Sequence, residues 1–437
     1  MHSITRVACA LAVAAALGSS ARLAGAQQTP VGAQQTPVGT ADVFRRHADR
    51  VVRIQVVESG SAAKSTLGSG FFVGDGLVVT NYHVISRLVT DSARHRAELT
   101  DTRGETHPVR VLAIDVVHDL AVVHSDAAPR STFDIQPVEL DQGERLYALG
   151  HPHDLGLTIT EGTYNGPLKY VLYPKILFSG SLNPGMSGGP AIDTGGRVVG
   201  VNVSTAGNEI SFLVPVDRVI ALLESVRRQD ARVRPSLLAE AALQLRAYQD
   251  IYIARIFSDS IKRVTLGRFS LPTEPAPFFK CWADADRDED DPYESVQHFC
   301  STDDHVFISG EQSTGLLTLS HELIINKTLN PFRFHSLYTG TFQNVLDSDI
   351  PFADATAVTP YRCETRNVRR VEITLRTVFC LRKYRKLEGL YDALIKAAVL
   401  GTSETGLVST LSLSGVTFEN AHVLARRYLE QIAWTDR

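Results

Sequence analysis

The chain has 437 residues, of which 44% are hydrophobic and 21% are charged, and its net charge is −4. This composition is ordinary for a soluble globular protein and leaves room for two or three domains of about 100–200 residues each. The nearly balanced charge lacks the basic excess of nucleic-acid-binding proteins, so we expect no nucleic-acid partner.

Residues 1–26 have the three parts of a secretory signal peptide. Arg6 supplies a positive charge, Val7 to Leu17 form an apolar run, and Ala24-Gly25-Ala26 offers a cleavage site between small residues. The apolar run is short for a membrane-spanning helix, which needs about 20 residues, so we favour cleavage over a retained anchor. We therefore expect an exported protein, periplasmic or secreted, with no stable membrane span after signal removal.

A nearly repeated heptad rich in Gln, Pro and Gly follows, with Gln27 to Ala33 echoed by Gln34 to Thr40. This composition predicts a disordered spacer at residues 27–41.

Short apolar runs separated by turn residues dominate the next 175 or so residues, in a spacing typical of small β-barrels. We predict two barrels, at 42–130 and 131–215, from strands near Val51–Val57, Gly70–Val73, Leu77–Thr80, Val109–Ala113, Leu120–His124, Arg145–Leu149, Thr158–Glu161, Lys175–Ser179, Val198–Val203 and Ser211–Val214. The predicted fold class is therefore mainly β.

A serine lies among glycines in the segment Gly185-Met186-Ser187-Gly188-Gly189-Pro190. Glycines on both sides allow a sharp turn and the close approach of a substrate carbonyl. The backbone N–H groups of Gly185 and Ser187 can then point at one position, as in an oxyanion hole. A serine is a weak nucleophile, so this interpretation requires a histidine base and a carboxylate elsewhere in the chain.

Two earlier residues meet that requirement. His83 lies in Thr80-Asn81-Tyr82-His83-Val84, and Asp119 lies directly before the apolar run that starts at Leu120. The chain order His, Asp, Ser is that of chymotrypsin-type enzymes and differs from the order in subtilisins and α/β-hydrolases.

Several blocks between Gly68 and Ile220 together resemble trypsin-like serine proteases of the HtrA (Deg) type. They are Gly68–Val73, Thr80–Val84, Asp119–Val122, Ala148–Pro152, Thr158–Gly162, Asn183–Pro190 and Ile210–Asp217. The resemblance implies a chymotrypsin-like double β-barrel at 42–230, with His83 as base, Asp119 as orienting acid and Ser187 as nucleophile. It also implies polypeptide substrates, typically unfolded proteins, and it leaves a homo-oligomer open. Two features depart from the family: Met186 replaces a small polar residue, and no PDZ domain is recognisable.

The residue six positions before the nucleophile lies at the base of the primary pocket in trypsin-like proteases. Here it is Ser181. Enzymes that cleave after Lys or Arg need a carboxylate there, so the substrate pocket is expected to take an uncharged side chain.

The pattern changes after residue 215. An amphipathic helix is predicted from about Val219 until Pro235 breaks it, and a second is predicted from Ser236 to Arg263. Residues 231–265 are therefore expected to form a helical linker. Residues 266–437 read as a separate α+β domain of unknown function. Its predicted strands are His305–Ser309, Gly315–Ser320, Glu322–Ile325, Phe332–Thr339 and Arg370–Leu381. Two helices are predicted to follow these strands, near Tyr384–Val399 and Phe418–Trp434.

Four of the five cysteines lie in this last region: Cys281, Cys300, Cys363 and Cys380. An even count in an exported protein favours disulfides over buried free thiols. Four cysteines allow three pairings, of which we favour the pairing of neighbours. A zinc site is disfavoured because no close Cys-x-x-Cys pair exists.

Other polar clusters favour structural interpretations. The alternating acids Asp284, Asp286, Asp288 and Asp290 lack the glycine and glutamate of an EF-hand loop and are expected to form a solvated acidic loop. His321-Glu322 is expected to be a surface pair, His118 a structural residue beside Asp119, and His151-Pro152-His153-Asp154 a loop. We therefore expect no metal and no other cofactor.

The sequence thus predicts an exported serine endopeptidase that acts in protein quality control or in the degradation of unfolded proteins. Two alternatives remain open. One is a non-catalytic chaperone or binding module on a protease scaffold. The other is proteolysis restricted to a dedicated partner that the cysteine-containing domain selects.

Overall fold

The computed structural model describes residues 39–435 except 62, 75, 229–235, 258–260, 303, 311, 345–354 and 371–372. The expected signal peptide, most of the expected spacer, and Pro235 lie outside the described residues.

The first barrel follows a short N-terminal helix and closes in the strand order β1-β2-β3-β6-β5-β4. Alternating apolar residues such as Val52, Ile54 and Val56 point their side chains inward, because successive residues of a strand face opposite sides. The elements are α1 (Thr40–His47), β1 (Val51–Glu58), β2 (Lys64–Gly74), β3 (Leu77–Thr80), α2 (Tyr82–Thr90), β4 (His95–Thr100), β5 (Thr106–Asp115) and β6 (Leu120–His124).

The second barrel closes in the order β10-β11-β12-β9-β8-β7. Its strands are β7 (Arg145–Gly150), β8 (Thr158–Pro167), β9 (Ile176–Phe178), β10 (Pro190–Asp193), β11 (Val198–Thr205) and β12 (Ser211–Pro215). Two closed six-stranded barrels confirm the predicted mainly β class and the chymotrypsin-like double barrel.

Two helices follow the barrels, α3 (Val216–Arg228) and α4 (Leu237–Ile253). Ser236 caps α4 because its side chain accepts a hydrogen bond from the N–H of Ala239. The helix predicted to run to Arg263 ends at Ile253, and Lys262 already belongs to a strand.

A seven-stranded antiparallel sheet forms the centre of the C-terminal region, in the order β15-β16-β19-β23-β22-β21-β20. A hairpin (β17–β18) and a three-stranded sheet (β13-β14-β24) accompany it. The elements are β13 (Lys262–Leu266), β14 (Phe269–Thr273), β15 (Lys280–Asp286), β16 (Tyr293–Ser301), β17 (Val306–Ser309), β18 (Gln312–Thr314), β19 (Leu317–Asn326), α5 (Pro331–Asn344), β20 (Arg362–Arg369), β21 (Thr374–Lys383), β22 (Tyr391–Val399), β23 (Thr405–Val416), α6 (Phe418–Glu430) and β24 (Ala433–Trp434).

The central strands of this sheet are buried on both faces. On β23, Leu407 and Leu411 join the cluster that contains Leu424 of α6, whereas Val408 packs with Phe334 of α5. The first of these clusters also contains residues of the first barrel and of α4, so the barrel and the C-terminal sheet share a continuous apolar core.

Two element predictions in this region were wrong. Phe332–Thr339 lies in the helix α5 rather than in a strand, and Asn330 accepts a hydrogen bond from the N–H of Arg333 at the start of that helix. Asn before Pro331 is a helix-start signal that the aromatic residues obscured. Residues 391–399, predicted as part of a helix, form the strand β22, because burial on both faces overrides the helix propensity of Ala, Leu and Lys.

Two disulfides join neighbouring cysteines of the C-terminal sheet, Cys281 to Cys300 and Cys363 to Cys380. Each connects an edge strand to the next strand inward, β15 to β16 and β20 to β21. Edge strands have unpaired backbone groups on one side, so the disulfides hold the two most exposed strands of the sheet in register.

Three polar residues of this sheet differ from their predicted settings. Asp284 and Asp286 lie on the exposed strand β15 rather than in a loop. His321 is only 1% exposed and lies within β19, so the predicted surface pair with Glu322 was wrong for the histidine. No helix among the described residues has the length and apolarity needed to cross a membrane.

Candidate active site

His83 and Asp119 are in direct contact. His83 is the second residue of α2, and Asp119 lies in the turn before β6, in a left-handed backbone conformation (φ 55°) that Asp adopts more readily than most residues. One carboxylate oxygen of Asp119 lies 2.6 Å from His83 Nδ1, and the other accepts the backbone N–H of His83 at 2.8 Å. The carboxylate therefore holds both the ring and the backbone of the histidine.

The contact with Asp119 also sets the protonation of His83. Burial by itself lowers the pKa of the imidazole, but the charge and hydrogen bond of Asp119 outweigh burial and raise the pKa above its usual value. With Nδ1–H donating to the carboxylate, Nε2 of the neutral ring is left as the acceptor. This is the tautomer that a general base requires.

The two residues before His83 hold the turn that carries Asp119. Asn81 donates its side-chain N–H to the Asp119 carbonyl at 2.7 Å, and the Tyr82 N–H approaches the same oxygen at 3.2 Å. His118 contacts Asp115 instead, with 2.8 Å between Nδ1 and the carboxylate. His118 therefore does not compete with His83 for Asp119.

Ser187 belongs to the second barrel but is attached to the first. Its carbonyl accepts the N–H of Ser69 on β2 at 2.8 Å, and its hydroxyl donates to the carbonyl of Val203 at 3.3 Å. Gly188 follows with φ 86°, and a Cβ at this position would collide with the Ser69 carbonyl and the Thr80 hydroxyl. Only glycine allows the serine turn to approach β2 and β3 this closely.

The peptide groups around Ser187 have anchored carbonyls. The Pro184 carbonyl accepts the His153 N–H at 2.9 Å, and the Met186 carbonyl accepts from Gly189 N at 3.1 Å and from Asn202 Nδ2 at 3.3 Å. A planar trans peptide holds its N–H opposite its C=O. The anchored carbonyls therefore fix the directions of the Gly185 and Ser187 N–H groups.

Ser69 connects the two barrels at this loop, although it was not among the residues predicted from the sequence. Its hydroxyl donates to the Gly185 carbonyl at 2.8 Å and accepts the N–H of His151 at 2.9 Å. The side chain is fully buried. The available signal was a serine between Gly68 and Gly70, in the strand next to the histidine block.

Met186 anchors the serine loop in the second barrel. It is 1% exposed and packs in an apolar cluster with residues that include Leu146, Phe178 and Leu213. The departure from a polar residue at this position therefore has a structural explanation, because the side chain is buried in the apolar core of the second barrel.

Ser181 is exposed, on the same chain segment as the serine turn. The neighbouring N–H of Leu182 donates to the hydroxyl of Ser211 on β12 at 3.3 Å, which holds this segment against the barrel. The role of Ser181 in substrate selection stays a prediction.

The polar cluster after β7 is bound to protein groups. Asp154 forms ion pairs with Arg53 and Lys64. His151 is 8% exposed, and burial together with the charge of Arg53 lowers its pKa to about 4.

Elsewhere among the described residues, two groups have ligand atoms close enough for a metal, Cys281/His298/Cys300 and Asp101/Glu105/His107. The first contains a disulfide, and the acids of the second pair with Arg103.

The part of the chain that contains His83, Asp119 and Ser187 is similar to known proteins. Residues 68–201 match the trypsin-like peptidase domain family. Serine protease HTRA2, mitochondrial, of Bos taurus is 31% identical over 243 residues, which cover 48% of this chain and 52% of the relative. Protease Do-like 5, chloroplastic, of Arabidopsis thaliana is 28% identical over 218 residues, which cover 41% of this chain and 66% of the relative. The chain spans about half the length of the curated relatives it matches.

Solved structures give similar matches. The serine endoprotease from Yersinia pestis has 26% sequence identity and a TM-score of 0.38, over 45% of this chain and 69% of that chain. Deg5 has 27% identity and a TM-score of 0.37, over 43% of this chain and 92% of that chain.

Proposed function

Since the chain contains a trypsin-like peptidase domain related to the HtrA and Do-like proteases, we propose that it is a serine endopeptidase with His83, Asp119 and Ser187 as its triad. The double contact between Asp119 and His83 carries this proposal, because one carboxylate fixes both the tautomer and the position of the candidate base. The peptidase domain is assigned to residues 42–230, with a linker at 231–265 and a further domain at 266–437.

The reaction begins when the Ser187 hydroxyl turns from the Val203 carbonyl to His83 Nε2. His83 takes the proton as Oγ attacks the scissile carbonyl, and Asp119 stabilises the imidazolium that forms. The proton then passes to the leaving amine, which yields an acyl-enzyme. Water, deprotonated by His83, hydrolyses the acyl-enzyme and returns the serine.

The tetrahedral intermediates carry a negative oxygen that the Gly185 and Ser187 N–H groups bind. Donors held in advance by an anchored backbone need no reorganisation when this charge develops. One such donor typically contributes on the order of 3 kcal/mol to transition-state stabilisation.

The substrates are proposed to be polypeptides, in particular unfolded proteins, cleaved after an uncharged residue that Ser181 accommodates. The compartment is proposed to be outside the cytoplasm, periplasmic or secreted. The signal-like residues 1–26 support this assignment, as do the two disulfides, which persist in oxidising environments.

The test is cleavage of casein and of a denatured protein by the wild type, by Ser187→Ala and by Ser61→Ala, a control at an exposed serine. Labelling by a fluorophosphonate probe provides a second readout. We expect turnover and labelling in the wild type and in Ser61→Ala and neither in Ser187→Ala. Equal turnover in all three proteins removes the triad assignment, and absence of both signals in the wild type favours the non-catalytic binding module.

A further inference from the structure

The hairpin β17–β18 of the C-terminal region lies on the helix that carries His83. The Tyr82 hydroxyl donates a hydrogen bond of 3.1 Å to the Ile308 carbonyl. Val306 and Ile308 are buried in the same cluster as Tyr82 and Val84. The residues on both sides of His83 are thus packed against a segment that is more than 200 residues away in the sequence.

Strand alternation gives Phe307 a different environment from its two neighbours. Val306 and Ile308 point into the core, whereas Phe307 is only partly buried. Its ring lies edge-to-face with the imidazole of His83, with 5.9 Å between the ring centroids and 72° between the planes. This is a favoured geometry for an aromatic pair.

The hairpin is held in place from two directions. Toward the sheet, the N–H of Gly315 donates to the carbonyl of Ser414 on β23 at 3.1 Å, and the N–H of Ser414 donates to Leu316 at 3.0 Å. Toward the second barrel, Lys175 forms a 2.7 Å ion pair with Asp304, and both side chains are largely shielded from solvent. The C-terminal sheet and both barrels therefore determine where the Phe307 ring lies.

We propose that Phe307 is a positioning residue for His83, so that the C-terminal region completes the active site of the peptidase. This inference rests on the proposed function. Asp119 fixes one edge of the imidazole, and Phe307 restricts the ring from another side and keeps water from that side. A base held in this way stays aligned with Ser187 during both proton transfers, and small misplacements of a catalytic group are costly.

The proposal has a signature in the titration of His83. Asp119 is the charged group that acts on the ring, from the turn before β6. Tyr82 on α2 is un-ionised at neutral pH because burial raises the pKa of its phenol far above neutrality, and the hairpin presents the uncharged Phe307. Removing the Phe307 ring admits water, which weakens the burial that lowers the pKa of His83. The pKa should therefore rise further, and the acid limb of kcat/KM should move to higher pH.

The experiment compares the full-length wild type with Phe307→Ala, Phe307→Tyr and Phe332→Ala. Phe332 is 90% exposed at the start of α5 and serves as the matched control. We measure kcat, KM and the pH profile, and we follow the His83 Cε1–H resonance in the Ser187→Ala background. Thermal melting checks the fold of each variant.

Phe307→Ala should lower kcat on the order of 10-fold with little change in KM and should raise the His83 pKa, whereas Phe307→Tyr and Phe332→Ala should resemble the wild type. An unchanged kcat and His83 pKa in folded Phe307→Ala overturns the inference, and so does increased activity, which would mean that the hairpin inhibits. Should Phe307→Ala fail to fold, Phe307→Leu replaces it with the same expectations. A wild type without Ser187-dependent turnover instead contradicts the proposed function, and the resonance of His83 still decides whether the ring contact controls its titration.

Discussion

The hydroxyl of Ser69, on a strand of the first barrel, donates a 2.8 Å hydrogen bond to the carbonyl of Gly185, on the serine loop of the second. The same oxygen accepts the N–H of His151 at 2.9 Å. One buried hydroxyl therefore fixes two backbone groups of the second barrel, one of them on the serine loop. The alignment of the two barrels and the geometry of the loop depend on the same side chain.

Replacing Ser69 should reduce activity. Ser69→Ala leaves the Gly185 carbonyl and the His151 N–H without this buried partner, which costs about 1–3 kcal/mol each where no water replaces it. We expect kcat/KM to fall by at least about tenfold through loss of loop order. Ser65→Ala is the matched control, because Ser65 lies on the same strand and bonds to Val56 instead. Equal kcat/KM in the two variants would show that the bridge does not organise the loop.

Replacing Asp119 should lower both the rate and the pKa of the base. Asp119→Asn keeps a residue that tolerates the positive φ but removes the charge that raises the pKa of His83. We expect kcat to fall by about 10⁴ and the acid limb of its pH profile to move to lower pH. Asp115→Asn, which removes the carboxylate that contacts His118, is the control. Similar profiles for both variants would contradict the assignment of Asp119.

The sequence predicted the barrels and the three candidate residues because both leave local signals. Alternating apolar runs predict strands wherever they occur, and glycines around Ser187 mark its turn. Phe307 left no such signal, and the glycines on both sides of Ser69 mark the position without indicating its partners. Both roles depend on contacts with residues far away in the chain, Gly185 for Ser69 and His83 for Phe307. The strand Tyr391–Val399 was missed for a related reason: only the layers packed on both of its faces make Ala and Lys suitable strand residues there.

Position 186 should not tolerate the small polar residue that the family has there, because Met186 lies in an apolar cluster. Met186→Asn buries an amide in an apolar cluster and removes packing, so the free energy of unfolding should fall by at least about 2 kcal/mol. Met186→Leu conserves volume and polarity and should cost less than about 1.5 kcal/mol. Urea unfolding of the three proteins measures both differences. An Asn variant as stable as the wild type would mean that the loop can turn this side chain out to solvent.

Ser181 should control the charge of the preferred substrate residue. Ser181→Asp places a carboxylate in the proposed pocket, so cleavage after Lys or Arg should rise relative to cleavage after apolar residues. A peptide library read by mass spectrometry gives both preferences in one measurement. Ser179→Asp, two residues earlier, controls for a general charge effect. If the wild type and Ser181→Asp show the same preference, Ser181 does not line the pocket.

The stability of the C-terminal sheet should decrease in mild acid because of His321. Its Nε2 lies 2.8 Å from the Pro272 carbonyl and its Nδ1 lies 2.7 Å from the Ser409 hydroxyl. Burial lowers the pKa of the ring to about 4, so the folded protein keeps it neutral where the unfolded chain, with a pKa near 6.5, takes up a proton. The contribution of the neutral His321 ring to the free energy of unfolding is therefore fully present above about pH 6.5. It is lost as the pH falls, and the loss is on the order of 3 kcal/mol by pH 4.

The urea midpoint between pH 7 and pH 4 measures this loss, and variants separate it from the effects of other groups. His321→Gln cannot take up the proton, so its midpoint should fall less steeply with pH than that of the wild type, even if it is lower at pH 7. His422→Gln, at an exposed position of α6, should keep the slope of the wild type. Parallel curves for all three proteins would mean that His321 binds its proton equally well in the folded and in the unfolded protein. The acid sensitivity would then arise from other groups.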